Sequence, residues 1–112
     1  MISVTIYRVN SEIYRFKVIG HAGYGAKGFD IVCAGVSTLV FTTINSIHHF
    51  INEPMKENKI DKKKGIIDYT FPNIKNGKYC EKTSLLLESM VLGLKSMENM
   101  YGEYIKIEHK LK

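Results

Sequence analysis

From Ile31 to Ile51, apolar side chains return every three or four positions, at Val32, Val36, Leu39, Val40, Ile44 and Ile47. That spacing is helical, and an apolar face so broad has to be buried against a second layer. The flanking segments follow a different period. Residues 2–9 (ISVTIYRV) and 12–19 (EIYRFKVI) alternate with a period of two and carry β-branched side chains, as strands do. Asn10-Ser11 between them reads as a tight turn, so the two strands form an antiparallel hairpin.

The second half of the chain repeats the theme. Residues 66–72 (IIDYTFP) read as a third strand, closed by Pro72 and a turn at 73–77. Leu87, Met90, Val91, Leu94, Met97 and Tyr101 mark a second amphipathic helix from about Cys80 to Tyr101, with Gly102 as its C-cap. Residues 104–110 alternate as a fourth strand. The order β-β-α-β-α-β predicts one α/β domain over residues 1–112, a two-layer sandwich of a four-stranded sheet and two helices. The sheet face away from the helices is expected to be open, which points to a homodimer that covers it.

The second strand and the long helix are joined by GHAGYGAKGFDIVC, residues 20–33, which holds four of the nine glycines: Gly20, Gly23, Gly25 and Gly28. So much glycine predicts a loop that takes unusual backbone angles or moves. Gly23, Gly25 and Gly28 also spell G-x-G-x-x-G, the local form of a dinucleotide-binding turn. The context argues against that use. The preceding strand belongs to a hairpin, no acid ends the next strand to hold a ribose, and the domain is too small for the usual double unit.

A thiol reading uses the same stretch differently. With Asp30 as N-cap, Cys33 falls in the first helical turn, where the field of the helix terminus favours a thiolate. His21 ends the second strand, and the glycine-rich loop would let its imidazole fold back onto the sulfur. A Cys–His pair is the minimum for nucleophilic acyl transfer, with first-turn N–H groups as oxyanion donors. Asp30 has two readings: it caps the helix, or it orients His21 as the third member of a triad does. Ser37, one turn after Cys33, either bonds into the site or back to the helix. Cys80 has no His or acid at a telling offset and reads as an ordinary buried residue, so alkylation is expected to select Cys33.

The formal charge is +5, with 14 lysines among the 16 basic residues. Much of the excess lies in residues 56–64 (KENKIDKKK), read as a solvated loop. A ribosome- or RNA-facing patch through Lys56, Lys59, Lys62, Lys63 and Lys64 is the alternative, and with it a non-enzymatic binding module. Cysteine and histidine spacings suggest no metal site. No apolar run of about 18 residues is apparent, and the N-terminus alternates like a strand rather than a signal peptide, so a cytoplasmic location is expected.

The segment Gly20-His21-Ala22-Gly23-Tyr24, followed by Gly28-Phe29-Asp30-Ile31-Val32-Cys33-Ala34-Gly35-Val36-Ser37, closely resembles the ribosomal-processing cysteine proteases of Gram-positive bacteria and their relatives. The resemblance extends over the whole chain. It implies a homodimeric cysteine endopeptidase without a cofactor. The enzyme would remove a short N-terminal extension from the large-subunit ribosomal protein that reaches the peptidyl-transferase centre, cutting after an aromatic residue. It places catalysis on His21 and Cys33, a conserved acid on Asp30 and a hydroxyl on Ser37, and a glycine loop that moves aside for substrate. Gly35 and Phe29 depart from the family, which often has Ala and a polar residue there. Gly35 should loosen the first helical turn by up to ~1 kcal/mol relative to Ala.

Overall fold

The structure, a computed structural model, describes residues 1–20 and 27–112, excepting the side chains of residues 27–30. Its elements are β1 (Ile2–Val9), β2 (Glu12–Ile19), α1 (Lys27–Phe50), β3 (Lys56–Asp61), β4 (Ile66–Thr70), α2 (Pro72–Lys75), α3 (Glu81–Met100) and β5 (Ile105–Leu111). The single-domain α/β class is as expected, but the sheet has five strands in the order β3-β4-β2-β1-β5. β5 runs parallel to β1, and the other neighbours are antiparallel.

The predicted hairpin closes through Asn10 and Ser11, whose φ angles of 48° and 69° match the right-handed twist of paired strands. The additional strand comes from the segment read as a charged loop. KENKID has a poor strand composition, and only Ile60 of its apolar character reaches the core margin. It pairs along β4 as an edge strand, where lysines discourage further strand addition. Asp61 Oδ1 accepts the N–H groups of Lys63 and Lys64, and Gly65 at φ 64° completes the reversal. Pro72 opens the short helix α2 rather than simply closing a strand, burying Ile74. Gly102 does not adopt the left-handed angle expected of a C-cap; α3 ends at Tyr101, with φ −131°.

Helix α1 begins at Lys27, four residues earlier than expected. Asp30 therefore stands inside the helix and is not its N-cap, and Gly28 belongs to the first turn rather than to a loop. Gly23 and Gly25 lie outside the described residues. Between Ile31 and Phe50 this helix contains no Asp, Glu, Lys or Arg and holds an 18-residue stretch with a mean hydropathy of 1.5, so it is long and apolar enough to cross a membrane by composition. The expectation that no such stretch exists is thereby corrected. In the fold, the helix lays Val32, Val36, Val40, Ile44 and Ile47 against the sheet and α3, as the core helix of a sandwich does.

One apolar cluster fills the space between the layers. Ile2, Val4 and Ile6 of β1, Phe16 and Val18 of β2, Ile67 of β4 and Ile105 of β5 point into it by register. Phe16 stacks on Tyr69, with centroids 6.0 Å apart, and lies 6.2 Å from Phe71. Where α1 crosses α3, a Cβ on Gly35 would lie 2.7 Å from Met97 Cε, and one on Gly93 would lie 2.8 Å from Leu39 Cδ2. Gly35 is therefore a place of close helix approach, and alanine there would displace Met97 rather than merely tighten a turn.

The opposite sheet face is open and polar. Arg15 binds Asp68 through two hydrogen bonds of 3.0 and 2.7 Å, and Asn58 donates to Asp68 and Thr70. Such a face offers no apolar reason for a second copy, so the homodimer expected from an uncovered sheet loses that support. Burial works to raise the pKa of Asp68. The hydrogen bonds from Arg15 and Asn58 and the charge of Arg15 outweigh it and hold the carboxyl below its ordinary value. A depressed carboxyl stabilises the fold above its unfolded-state pKa and loses that contribution as pH falls through its folded value. Melting curves should therefore fall in Tm below about pH 4. Asp68→Asn should lower Tm at pH 7 by roughly 5–10 °C, for about 1–2 kcal/mol of charge-assisted bonding, and flatten part of the acid decline. An Asp68→Asn protein that tracks the parent at every pH would remove this network from the stability account.

Candidate active site

The cleft beside Cys33 is built from two layers that meet at one end of the sheet. Helix α1 supplies Cys33, Val36, Ser37 and Phe41. The ends of β1 and β2 supply Ile2, Val18 and Gly20, and the β3–β4 hairpin supplies Ile60 to Lys62 and Gly65 to Ile67. The cavity is about 200 Å³, and most of its wall is apolar. Cys33 is 7% exposed and Ser37 is exposed, one turn further along the same helix. Neither cysteine forms a disulfide.

Two glycines hold the cleft's far wall to the strand that leads into it. The Gly20 N–H donates to the Gly65 carbonyl oxygen at 3.0 Å. Gly65 has a φ of +64°, and a Cβ on it would fall 1.4 Å from the Gly20 carbonyl oxygen. Gly20 is itself packed so closely on Ile2 that an added Cβ would lie 3.0 Å from the Ile2 Cα. Gly20 is thus a clamped residue, contrary to the expectation that it begins a mobile loop. It lines the cleft, and the next residue in the chain is His21. His21 itself lies outside the described residues.

The structure brings Cys33, Ser37 and the chain leading into His21 to one cleft. It moves Cys33 away from the helix terminus, however. With α1 starting at Lys27, Cys33 is the seventh helical residue, beyond the first turn where the terminal field acts and where backbone N–H groups lack helical acceptors. The first-turn N–H groups expected as oxyanion donors around the sulfur therefore belong to residues 27–30. Asp30 stands one turn before Cys33. Among the described residues, no group of three His, Cys, Asp or Glu could hold a metal ion.

The sequence reading overlooked Gly65 and the apolar wall formed by Phe41, Ile60 and Ile67. Gly65 follows three lysines and resembles any loop glycine. Its pairing with Gly20 spans 45 positions and leaves no local signal.

The cysteine at a helix terminus is Cys80. It is the N-cap residue of α3, although no side-chain cap hydrogen bond closes there. The Thr83 backbone N–H, then the Thr83 hydroxyl, and the Lys82 N–H hold its thiol below the ordinary value, against opposing contributions from burial and Glu53. The expectation that Cys80 is an ordinary buried thiol is therefore reversed. In the absence of substrate, iodoacetamide should label Cys80 ahead of the buried Cys33 and do so below the usual thiol pH range. Mass spectrometry of partly labelled protein over pH 6–9 checks this. Labelling of Cys33 first would refute it.

The sequence model of the family described as cysteine protease Prp matches residues 1–106. The ribosomal processing cysteine protease Prp of Bacillus subtilis is 31% identical over 109 residues, covering 96% of both chains. The crystal structure of the essential ribosomal processing protease Prp from S. aureus with a substrate peptide superposes with a TM-score of 0.84. It is 30% identical, covering 98% of this chain and 100% of that one. The S. aureus protease with a covalently linked product peptide has a TM-score of 0.82 at the same identity and coverage.

Proposed function

This chain belongs to the cysteine protease Prp family and is a cysteine-type peptidase, and from that premise we propose that it removes the N-terminal extension of a large-subunit ribosomal protein. Cys33 is the nucleophile and His21 the general acid and base. The observation that carries the reading is the apolar cleft that holds Cys33 and Ser37 and is bordered by Gly20, the residue before His21. Its walls suit a hydrophobic recognition segment ending in an aromatic residue.

The chemistry follows from that placement. The Cys33 thiolate attacks the scissile carbonyl carbon, and the His21 imidazolium protonates the departing amine as the C–N bond breaks. The thioester left on Cys33 is then opened by water, whose proton His21 takes, releasing the acid product and restoring the pair. A covalently linked product peptide in the S. aureus relative supports a covalent route. Asp30, no longer a cap, is assigned to orienting the His21 imidazole, and Ser37 to the mouth of the site. The reaction runs in the cytoplasm, where ribosomes mature, and requires no metal or organic cofactor. The enzyme works as a homodimer, for which the exposed Leu85 and Leu92, seven positions apart on α3, provide apolar surface.

The test is incubation with a peptide spanning the extension junction, followed by mass spectrometry. A single cut after the aromatic residue is expected. An intact peptide, or scattered cuts, would overturn the substrate assignment.

A further inference from the structure

The open sheet face concentrates charge that the peptidase reading does not use. Strand register places Arg15 and Lys17 of β2, Lys56 and Lys59 of β3, and Lys106 and Lys110 of β5 on this one face. The acids that share it by register are Glu12, Asp61, Asp68 and Glu108; Asp68 is already neutralised by Arg15, and Glu12, at the hairpin end, turns to accept a hydrogen bond from the Ser84 hydroxyl of α3. Lys56, Lys59, Lys106 and Lys110 are exposed. The strand pairing thus gathers lysines from three distant stretches of sequence, only one of which is the basic run at residues 56–64.

Aromatic rings stand among these cations. A bulge after Ile13 brings Tyr14 to the same face as Tyr7, with ring centroids 6.1 Å apart. Arg15 lies 4.6 Å over the Tyr7 ring, and its guanidinium is fixed by two hydrogen bonds to Asp68. Lys110 is 5.9 Å from the Tyr7 centroid, and Lys75 and Lys112 are 6.0 and 5.8 Å from that of Tyr14. Flat surfaces that stack bases, set within a field of lysines that neutralise phosphates, are what a single strand of RNA requires. The face carries few aliphatic side chains, Val9, Ile19 and Ile66 by register, and gives a lipid surface little to insert into.

We propose that this sheet face binds single-stranded RNA without sequence preference, on the side of the sheet opposite the Cys33 cleft. Lysine ammonium groups act as point charges and read no base, which sets the lack of preference. The proposal rests on no part of the peptidase reading, and RNA and peptide would occupy opposite sides of the same sheet.

Fluorescence anisotropy with a labelled twelve-nucleotide oligouridylate tests it. Binding should saturate at 50 mM salt. With about five phosphates neutralised, a fourfold rise in salt should weaken it roughly hundredfold. The variant Lys17→Gln/Lys59→Gln/Lys106→Gln/Lys110→Gln should bind more than about tenfold more weakly. A charge-matched variant off the face, Lys63→Gln/Lys64→Gln/Lys82→Gln/Lys95→Gln, should bind within about twofold of the parent. If the first variant melts early, the pair Lys106→Gln/Lys110→Gln on exposed β5 replaces it. Photocrosslinking of a 4-thiouridine oligonucleotide should map to Tyr7 and Tyr14. No saturable binding at 50 mM salt, equal losses in the two quadruple variants, crosslinks confined to α1 and α3, or tighter binding to phosphatidylglycerol vesicles than to the oligonucleotide would each overturn the proposal.

Discussion

Cys33→Ala is expected to leave the junction peptide intact, with a loss of at least about 10⁴-fold in kcat, the scale seen when a hydrolytic nucleophile is removed. No other thiol can take its place in the cleft, because Cys80 caps α3 and does not line it. Cys80→Ser should therefore cleave at the parental rate while abolishing the rapid alkylation. That contrast makes the experiment decisive: the more alkylation-prone cysteine is the dispensable one. His21→Ala should lose about 10²–10⁴-fold, the range for a general acid–base partner. The two losses should not add in the double variant, since imidazole without thiolate has nothing to activate. Product from Cys33→Ala at the parental rate would end the assignment of the nucleophile.

The second large effect concerns Gly65, which touches no reacting atom. Alanine there would place its Cβ 1.4 Å from the Gly20 carbonyl oxygen, at a φ of +64° that L-residues avoid. The conformational cost is about 1–2 kcal/mol. The collision also drives the two backbones apart, losing the hydrogen bond between them, for about another 1 kcal/mol. A Tm fall of roughly 10–20 °C is expected for a chain of this size. The clasp also sets where the chain enters His21, so cleavage by the surviving folded protein should drop about a hundredfold, the cost of misplacing a catalytic group by about an ångström. Gly77→Ala is the comparator. Gly77 also has a positive φ, +90°, but nothing lies within 4 Å of its added Cβ. It should lose only the conformational part and cleave normally. If Gly65→Ala melts and cleaves like Gly77→Ala, the clasp has no part in holding the site.

These two predictions mark how far the sequence alone could be read. Periodicity located β1, β2, α1 and α3 because each buries one face against the core, and burial imprints period on composition. It could not find β3. An edge strand whose inner face contributes little beyond Ile60 has almost nothing apolar to arrange, and its lysines resemble those of a loop. The start of α1 was obscured in the same way: glycines at positions 23, 25 and 28 argued against helix, while Gly28 is accommodated in its first turn. For the site, the quoted motif carried Cys33 and Ser37 to the cleft in which they lie. The opposite wall comes from the β3–β4 hairpin, and that wall exists only through pairings between distant strands. The helix-terminus account of the thiol failed for a related reason. It depended on where α1 begins, a boundary decided by tertiary packing more than by the local preference of Asp30 for a cap.

The parallel pairing of β1 with β5 bears on the order of assembly. Ile2 pairs with Ile105, and its N–H donates to the Tyr104 carbonyl oxygen at 2.7 Å. The same Ile2 forms part of the cleft wall against which Gly20 packs. Ile2 therefore waits for a residue about a hundred positions further along the chain before its place is fixed. Closing a loop of that span is slow relative to local helix and hairpin formation. During synthesis, β1 and β2 can form their hairpin early, but the β1 edge that faces β5 stays open until β5 arrives. The cleft is completed only with that strand, so a nascent chain carries its peptidase residues before it has a site in which to use them.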